Sequence, residues 1–112
     1  MKTTHLLSEK KLVLFPGIDA QLFPGEQLMV MRVLFEKGAS DAAHSHPHEQ
    51  MSLILQGEVE FTIGEEQKTL KAGDVVLIPG NVTHSAKALV DSELIDVFTP
   101  VREDLVARYA DV

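Results

Sequence analysis

The sequence predicts an all-β domain, an antiparallel sandwich or barrel, followed by one short helix. Apolar and polar residues alternate over short runs such as residues 59–63, as in half-buried strands. Glycines such as Gly57 and Gly64 belong to turn signals that recur about every ten residues, a spacing typical of antiparallel β domains. A chain of 112 residues that is 45% hydrophobic can build one core. We therefore expect a single domain over residues 1–112.

Most of the predicted strands end near a residue unsuited to a sheet. The run at 11–15 stops at Pro16 and Gly17, and the long apolar run at 27–35 stops before Gly38. The predicted strands span residues 11–15, 18–22, 27–35, 44–46, 50–56, 59–63, 67–71, 75–78, 82–87 and 93–98.

Residues 99–109 differ from the rest and predict the short C-terminal helix. Thr99 can cap its N-terminus and Pro100 suits the first helical position. Glu103 and Asp104 would lie at the positive end of the helix dipole, where acidic side chains are favoured. The apolar side chains expected to face the barrel are Val101, Leu105 and Val106.

Charge and composition exclude several classes of protein. The net charge of −7 argues against a nucleic-acid partner, which requires basic patches. The chain has no cysteine, so any metal must be held by nitrogen and oxygen ligands. No apolar run approaches the ~18 residues of a membrane span, and residues 1–11 lack a signal-peptide run. We therefore expect a cytoplasmic protein that does not contact membranes.

The strongest functional signal is a segment that contains three of the chain's five histidines. His44 and His46 are two residues apart, so on a strand they would share a face. Gln50 has the same parity, but a straight strand would carry it roughly 20 Å from His44, at about 3.3 Å per residue. Pro47 cannot donate to a sheet ladder, so we expect a turn there. His48 would lie in that turn, and Gln50 would begin the next strand.

A further histidine, His84, follows a tight turn at residues 79–81. Two imidazoles and a carboxamide, with a third imidazole downstream, form a donor set that divalent transition metals accept. His84 is expected to complete that set. Glu49 has the wrong parity for a ligand on a strand that starts at the next residue. It is expected to face solvent or to orient a ligand.

Two spacings resemble the two motifs of the cupin family. In this chain, the pattern Gly38-x5-His44-x-His46-x3-Gln50-x6-Gly57 is similar to the first cupin motif. The pattern Gly73-x5-Pro79-x-Asn81-x2-His84 is similar to the second cupin motif. The resemblance implies an antiparallel jelly-roll β-barrel of six or eight strands with a metal inside. We expect one divalent ion there, either Zn, Ni, Mn or Fe(II). The ligands that it implies are His44, His46, Gln50 and His84.

The sequence departs from the cupin pattern at three positions. Gln50 stands where the family carries glutamate, Asn81 where it carries glycine, and Ala88 where it carries asparagine. Asn81 is compatible with the motif because asparagine tolerates left-handed turn geometry. Gln50 makes the implied ligand set neutral, so a bound divalent ion would keep its full charge. A carboxamide also cannot act as a general base, so a proton must be moved by another residue.

The segment from Asp96 to Arg102, taken with residues 44–50, resembles the pectin-degradation cupins of the KdgF family. Those proteins convert 4,5-unsaturated monouronates into linear keto forms. The resemblance implies that a sugar acid is the small-molecule partner and that Asp96, Phe98 and Arg102 take part in the reaction.

The residues themselves support this interpretation and also leave structural alternatives open. Asp96 and Phe98 would share one face of a strand. An aspartate on the barrel side would be buried, which is costly unless the carboxyl group has a role or a partner. Arg102 suits a carboxylate, because a guanidinium pairs with it bidentately. Alternatively, Asp96 is bonded to backbone or to Arg102, Phe98 is part of the core, and Arg102 lies at the surface.

Two other functions remain open at this point. One is a non-enzymatic barrel that binds a sugar acid, with the metal as an anchor, and the other is a cupin dioxygenase. Dependence on O₂ would separate the dioxygenase from the uronate-converting enzyme, and tight binding without turnover would indicate the first alternative. Small cupins commonly pair, so a homodimer is expected, although the sequence defines no interface.

Overall fold

The structure is a computed structural model that describes residues 1–112 as nine strands and one α-helix, preceded by a short 3₁₀ turn at Leu6–Ser8. The strands are β1 (Leu12–Phe15), β2 (Ile18–Pro24), β3 (Met29–Phe35), β4 (Glu49–Gln56), β5 (Glu58–Ile63), β6 (Glu66–Lys71), β7 (Val75–Ile78), β8 (His84–Ala88) and β9 (Ser92–Thr99). The helix is α1 (Glu103–Ala110).

The strands form two antiparallel sheets. The larger sheet has six strands in the order β1-β2-β3-β9-β4-β7, and the smaller has three in the order β6-β5-β8. The segment before β4 extends the smaller sheet beyond β8 through two isolated bridges, Ser40 with Lys87 and His44 with His84. Together the sheets form a jelly-roll barrel, which confirms the predicted fold class. The helix is too short and too polar to cross a membrane.

The core lies between the two sheets. Along β3, every second residue from Met29 to Phe35 is buried, as expected for a strand with one face in the core. Val59 and Phe61 on β5 and Ala86 on β8 belong to the same cluster of 18 buried hydrophobic residues. Full burial stabilises a side chain such as valine or phenylalanine by about 1.5–3 kcal/mol. This packing holds the walls of the barrel around its interior.

The predicted strand at residues 44–46 is wrong in its extent. His44 makes only the single bridge to His84, and Ser45 and His46 lie outside any strand. The carbonyl of His46 accepts the Asn81 N–H at 2.7 Å, so it is not available to continue a ladder. The segment therefore leaves the sheet immediately after its first histidine.

Two other strands begin two residues later than predicted, and hydrogen bonds explain both differences. The carbonyl of Leu28 accepts the Gly25 N–H at 2.6 Å, which closes a turn before β3 begins at Met29. The carbonyl of Val82 lies 2.9 Å from His84 Nδ1, so it binds a side chain before β8 begins.

The helix also begins later than the sequence predicts. Thr99 pairs with Glu49 as the last residue of β9, so the prediction that it caps the helix is wrong. Pro100 is likewise not the first helical position, because α1 starts at Glu103 with Arg102 before it. The predicted inward face is confirmed: Leu105 is buried, and Val101 and Val106 pack against the core.

Candidate metal centre

Three imidazoles converge at one end of the barrel. One ring nitrogen from each of His44, His46 and His84 lies within 4.8 Å of the others. The ring centroids of His44 and His84 are 4.4 Å apart, and those of His46 and His84 are 4.9 Å apart. His46 and His84 are buried, and His44 is half-buried. Three ring nitrogens at such distances can bind one ion.

Backbone contacts bring the two histidine segments together. His44 and His84 exchange two backbone hydrogen bonds of 3.0 and 2.8 Å across their bridge. Asn81 has a φ of +66° and binds His46, as the turn chemistry of asparagine allows. Gly80 lies so close to Pro47 that a Cβ there would collide with the proline carbonyl oxygen. The turn before β8 therefore fixes where His46 lies.

Backbone carbonyls also set the tautomer of each imidazole. His44 Nδ1 lies 2.7 Å from Ala42 O, His46 Nδ1 lies 3.1 Å from His48 O, and His84 Nδ1 lies 2.9 Å from Val82 O. A carbonyl oxygen only accepts, so each Nδ1 carries the proton and donates. Each Nε2 then keeps its lone pair for another partner, as in histidines that ligate metals.

Gln50 places a fourth acceptor beside these lone pairs. Its side-chain nitrogen donates to Ser52 Oγ at 3.1 Å, which turns Oε1 toward His46 Nε2, also at 3.1 Å. Neither of these two atoms carries a proton, so they cannot bond to each other. His84 Nε2 is buried without any hydrogen-bond partner. Buried acceptors are normally satisfied, and a cation between them would satisfy these.

Burial favours the neutral form of His46 and His84. It lowers the pKa of His46 to about 4, and the positive charge of Arg102 contributes. Burial likewise lowers the pKa of His84 below its usual value. Neutral imidazoles bind a metal without first losing a proton. The donors are thus three imidazoles and one carboxamide oxygen, which suits a divalent transition metal.

The four predicted ligands are therefore brought together, although metal binding by them remains a prediction. His48 lies in the predicted turn, with its ring centroid 5.4 Å from that of His46 and its Nδ1 buried without a partner. Glu49 is exposed as the first residue of β4 and does not belong to the cluster.

A cavity of about 140 Å³ lies beside the histidines and between the sheets. Asp96 and Phe98 line it from β9, while His44, Gln50 and His84 line the end beside the candidate metal centre. The remaining lining is largely apolar, contributed by both sheets and by Leu105 of the helix. The cavity thus joins the candidate metal centre to the residues that were predicted to act on substrate.

The carboxyl group of Asp96 has an unusual environment in this cavity. Its Oδ1 is buried without a hydrogen-bond partner, and Asp96 pairs with neither a backbone group nor Arg102. Burial raises the pKa of Asp96 to about 7, against the opposing effect of the Ser52 hydroxyl. The nearby Asp41 charge raises this pKa further. At neutral pH the group can therefore both give and accept a proton.

Arg102 is buried beside Asp96's strand, and Asp104 holds it in place. Arg102 Nε and Nη2 donate to the two carboxylate oxygens of Asp104 at 3.0 and 2.9 Å. This pairing lowers the pKa of Asp104 to about 2. The guanidinium carbon also lies 5.1 Å from the centroid of the Phe98 ring, a cation–π contact. Nη1 makes no hydrogen bond within the chain, so it remains available to another acceptor.

Asp41 is a cavity residue that the sequence did not indicate. Asp41 is three residues before His44, so on a straight strand the two side chains would point to opposite faces and Asp41 would point away from the cavity. It nevertheless lines the cavity, because the chain bulges between Asp41 and His44. Burial raises the pKa of Asp41, while a hydrogen bond from the Ala86 N–H lowers it. No periodicity argument would have found this residue.

Fold and site together define a class: a small jelly-roll barrel with a cluster of histidines, suited to a metal, inside one end. The family model described as "Cupin domain" matches residues 31–98, more than half of the chain. The chain belongs to the cupin family. None of the curated proteins matches the sequence significantly.

Solved structures resemble this chain over most of its length. An RmlC-like cupin from Shewanella frigidimarina is 31% identical, with 91% of this chain and 93% of that chain covered and a TM-score of 0.86. KdgF from Halomonas sp. is 32% identical, with 88% and 93% covered and a TM-score of 0.83. A salicylate 1,2-dioxygenase from Pseudoaminobacter salicylatoxidans is 20% identical, with 83% and 30% covered and a TM-score of 0.75. That last likeness shows the fold alone.

Proposed function

We propose that this protein is a metal-dependent cupin that opens 4,5-unsaturated monouronates, released by pectin or alginate breakdown, to their linear keto forms. The observation that carries the proposal is the cavity wall formed by Asp96, Phe98 and Arg102 beside the histidine cluster. It joins a proton-transfer group, a carboxylate-binding cation and a candidate metal centre in one pocket. The similarity to KdgF from Halomonas sp. supports it.

The reaction defines what the site must do. The anomeric hydroxyl loses its proton, the bond between C1 and the ring oxygen breaks, and C1 becomes an aldehyde. The ring oxygen, now an enolate oxygen on C5, becomes a ketone as C4 takes a proton. One proton leaves oxygen and one reaches carbon, and nothing is oxidised or reduced. The site therefore needs proton-transfer groups and a means to hold the acid.

The candidate centre fits a metal, and its ligands would be His44, His46, Gln50 and His84. When bound there, a divalent ion supplies Lewis-acid polarisation of a substrate oxygen. Because the reaction involves no redox change, Zn, Ni, Mn and Fe(II) all meet this need. The four ligands are neutral, so they would leave the charge of the ion undiminished for that purpose.

Arg102 is suited to hold the substrate carboxylate. Its Nε and Nη2 are paired with Asp104, which fixes the plane of the guanidinium, and Nη1 remains to donate to the substrate. Phe98 lies against the guanidinium, is almost fully buried and lines the same cavity. This arrangement leaves Arg102 little rotational freedom to lose when it binds an acid.

Asp96 is suited to move the proton. Its Oδ1 is unpaired and buried, and its raised pKa of about 7 lets the carboxyl group carry a proton near neutral pH. A positioned acid or base of matched pKa accelerates a reaction by roughly 10²–10⁴-fold.

A turnover assay on the unsaturated monouronate tests this function. We expect the purified protein to accelerate loss of the C=C absorbance above the spontaneous rate, at the same rate with and without O₂. The saturated monouronate is the control, and we expect it to be left unchanged. Binding of the unsaturated acid without turnover would contradict the proposal and support a binding barrel. Dependence on O₂ would support a dioxygenase. The cytoplasmic location and the homodimer remain predictions.

A further inference from the structure

Asp41 faces the same cavity as Asp96 from the other sheet. Asp96 lies on β9 of the larger sheet, whereas Asp41 is bound to Ala86 on β8 of the smaller one. Both side chains line the cavity. A molecule between the sheets would therefore have one carboxyl group on each side.

A bulge fixes the position of Asp41. Its N–H donates to Ala86 O at 3.2 Å, and its Oδ1 accepts the Ala86 N–H at 2.8 Å. The side-chain oxygen thus takes the place of a main-chain carbonyl in the ladder, and Ala42 and Ala43 leave the sheet before His44 rejoins it. Asp41 Oδ2 makes no hydrogen bond within the chain. One oxygen anchors the carboxyl group, and the other is available to a ligand.

On the basis of the proposed function, we propose that Asp41 is a second proton-transfer residue. Asp41 accepts the proton of the anomeric hydroxyl, and Asp96 donates a proton to C4. Asp41 and Asp96 are the only carboxyl groups that line the cavity from the two sheets, since the third, Asp104, lies on the helix and pairs with Arg102. Between turnovers, Asp41 releases its proton to solvent and Asp96 takes one from solvent.

The position of Arg102 assigns the two roles. The substrate carboxylate is attached to C5, so binding it to Arg102 places C5 and its neighbour C4 near Phe98 and Asp96. C1 lies across the six-membered ring from C4. The anomeric hydroxyl would then face the opposite wall, where Asp41 lies near His44. A single carboxyl group would have to reach both C1 and C4, on opposite sides of the ring. With two carboxyl groups, each one serves the side that it faces.

The step balances. Asp41 takes the proton of the anomeric hydroxyl as C1=O forms, and the electron pair of the bond between C1 and the ring oxygen remains on that oxygen. The resulting enolate becomes a C5 ketone as the proton of Asp96 is transferred to C4. No co-reactant is consumed.

The variant Asp41→Asn tests this role because it keeps an oxygen that can accept the Ala86 N–H. We expect kcat to fall by about 10²–10⁴-fold, as for other positioned proton-transfer groups, with metal content and KM close to wild type. In D₂O, we expect Asp41→Asn to add deuterium to one face of C4, as the wild type does, because Asp96 still delivers it. The control is Asp91→Asn, since Asp91 also accepts a backbone N–H, from Lys37 at 2.8 Å, but does not line this cavity.

Other outcomes would overturn the inference in distinguishable ways. A kcat for Asp41→Asn within twofold of wild type would show that Asp41 does not transfer a proton. A loss of metal in parallel with activity would show that Asp41 only supports the ligands. Deuterium on both faces of C4 in this variant would assign the C4 proton to Asp41 instead. A wild-type protein without turnover would contradict the proposed function itself.

Discussion

Replacing Asp96 with asparagine is expected to lower kcat on the unsaturated monouronate by about 10²–10⁴-fold, with metal content unchanged. The variant removes the titratable group and keeps nearly the same shape. Asp96 makes no salt bridge, and its buried charge is costly, so we expect the fold to persist. In D₂O, the residual reaction should add deuterium to both faces of C4, because solvent then supplies the proton.

Kinetic assays, metal analysis and thermal unfolding of the same preparation check this result. Asp19→Asn is a matched control, because Asp19 lies on a strand of the same sheet, between the inward-facing Ile18 and Ala20. Full activity of Asp96→Asn would show that Asp96 does not move the proton. A loss of metal would place its role in the metal centre.

The variant His84→Ala is expected to lose both metal and turnover. Loss of a mere supporting hydrogen bond to a ligand costs roughly 10–100-fold in metal affinity, and loss of the ligand itself should cost more. His84 is central to the cluster, because its ring lies within 5 Å of both other rings, at 4.4 and 4.9 Å. Competition with a chromogenic chelator would measure the affinity.

The control for this variant is His5→Ala, which removes an exposed histidine far along the chain from the cluster. We expect its metal affinity and turnover to equal those of the wild type. Wild-type affinity in His84→Ala would contradict the predicted ligand set, and the folded state of the variant can be checked by circular dichroism.

The sequence predicted the fold well because its strands alternate with a period of two. Val59 and Phe61 show this, since they alternate with polar residues along the sequence and are both buried. Prediction failed mainly where contacts between distant segments decide where an element begins or ends. His46 O binds the Asn81 N–H and Thr99 pairs with Glu49, and neither bond is visible in local sequence.

The candidate site was only partly predictable from the sequence. The spacing of His44, His46 and His84 indicated a metal-binding cluster, and the structure brings these three together. Asp41 could not be found, because only the bulge turns it inward. The pairing of Arg102 with Asp104 was also unforeseen, since it depends on the helix starting after Arg102.

The most direct test of the account is to assay one preparation three times on the unsaturated monouronate: as purified, after chelation, and after separate additions of Zn, Ni, Mn and Fe(II), with metal per chain measured each time. We expect turnover to disappear on chelation and to return in proportion to bound metal with at least one of these ions. Turnover that persists in protein shown to be metal-free would contradict metal dependence. No acceleration in protein shown to carry metal would contradict the proposed reaction.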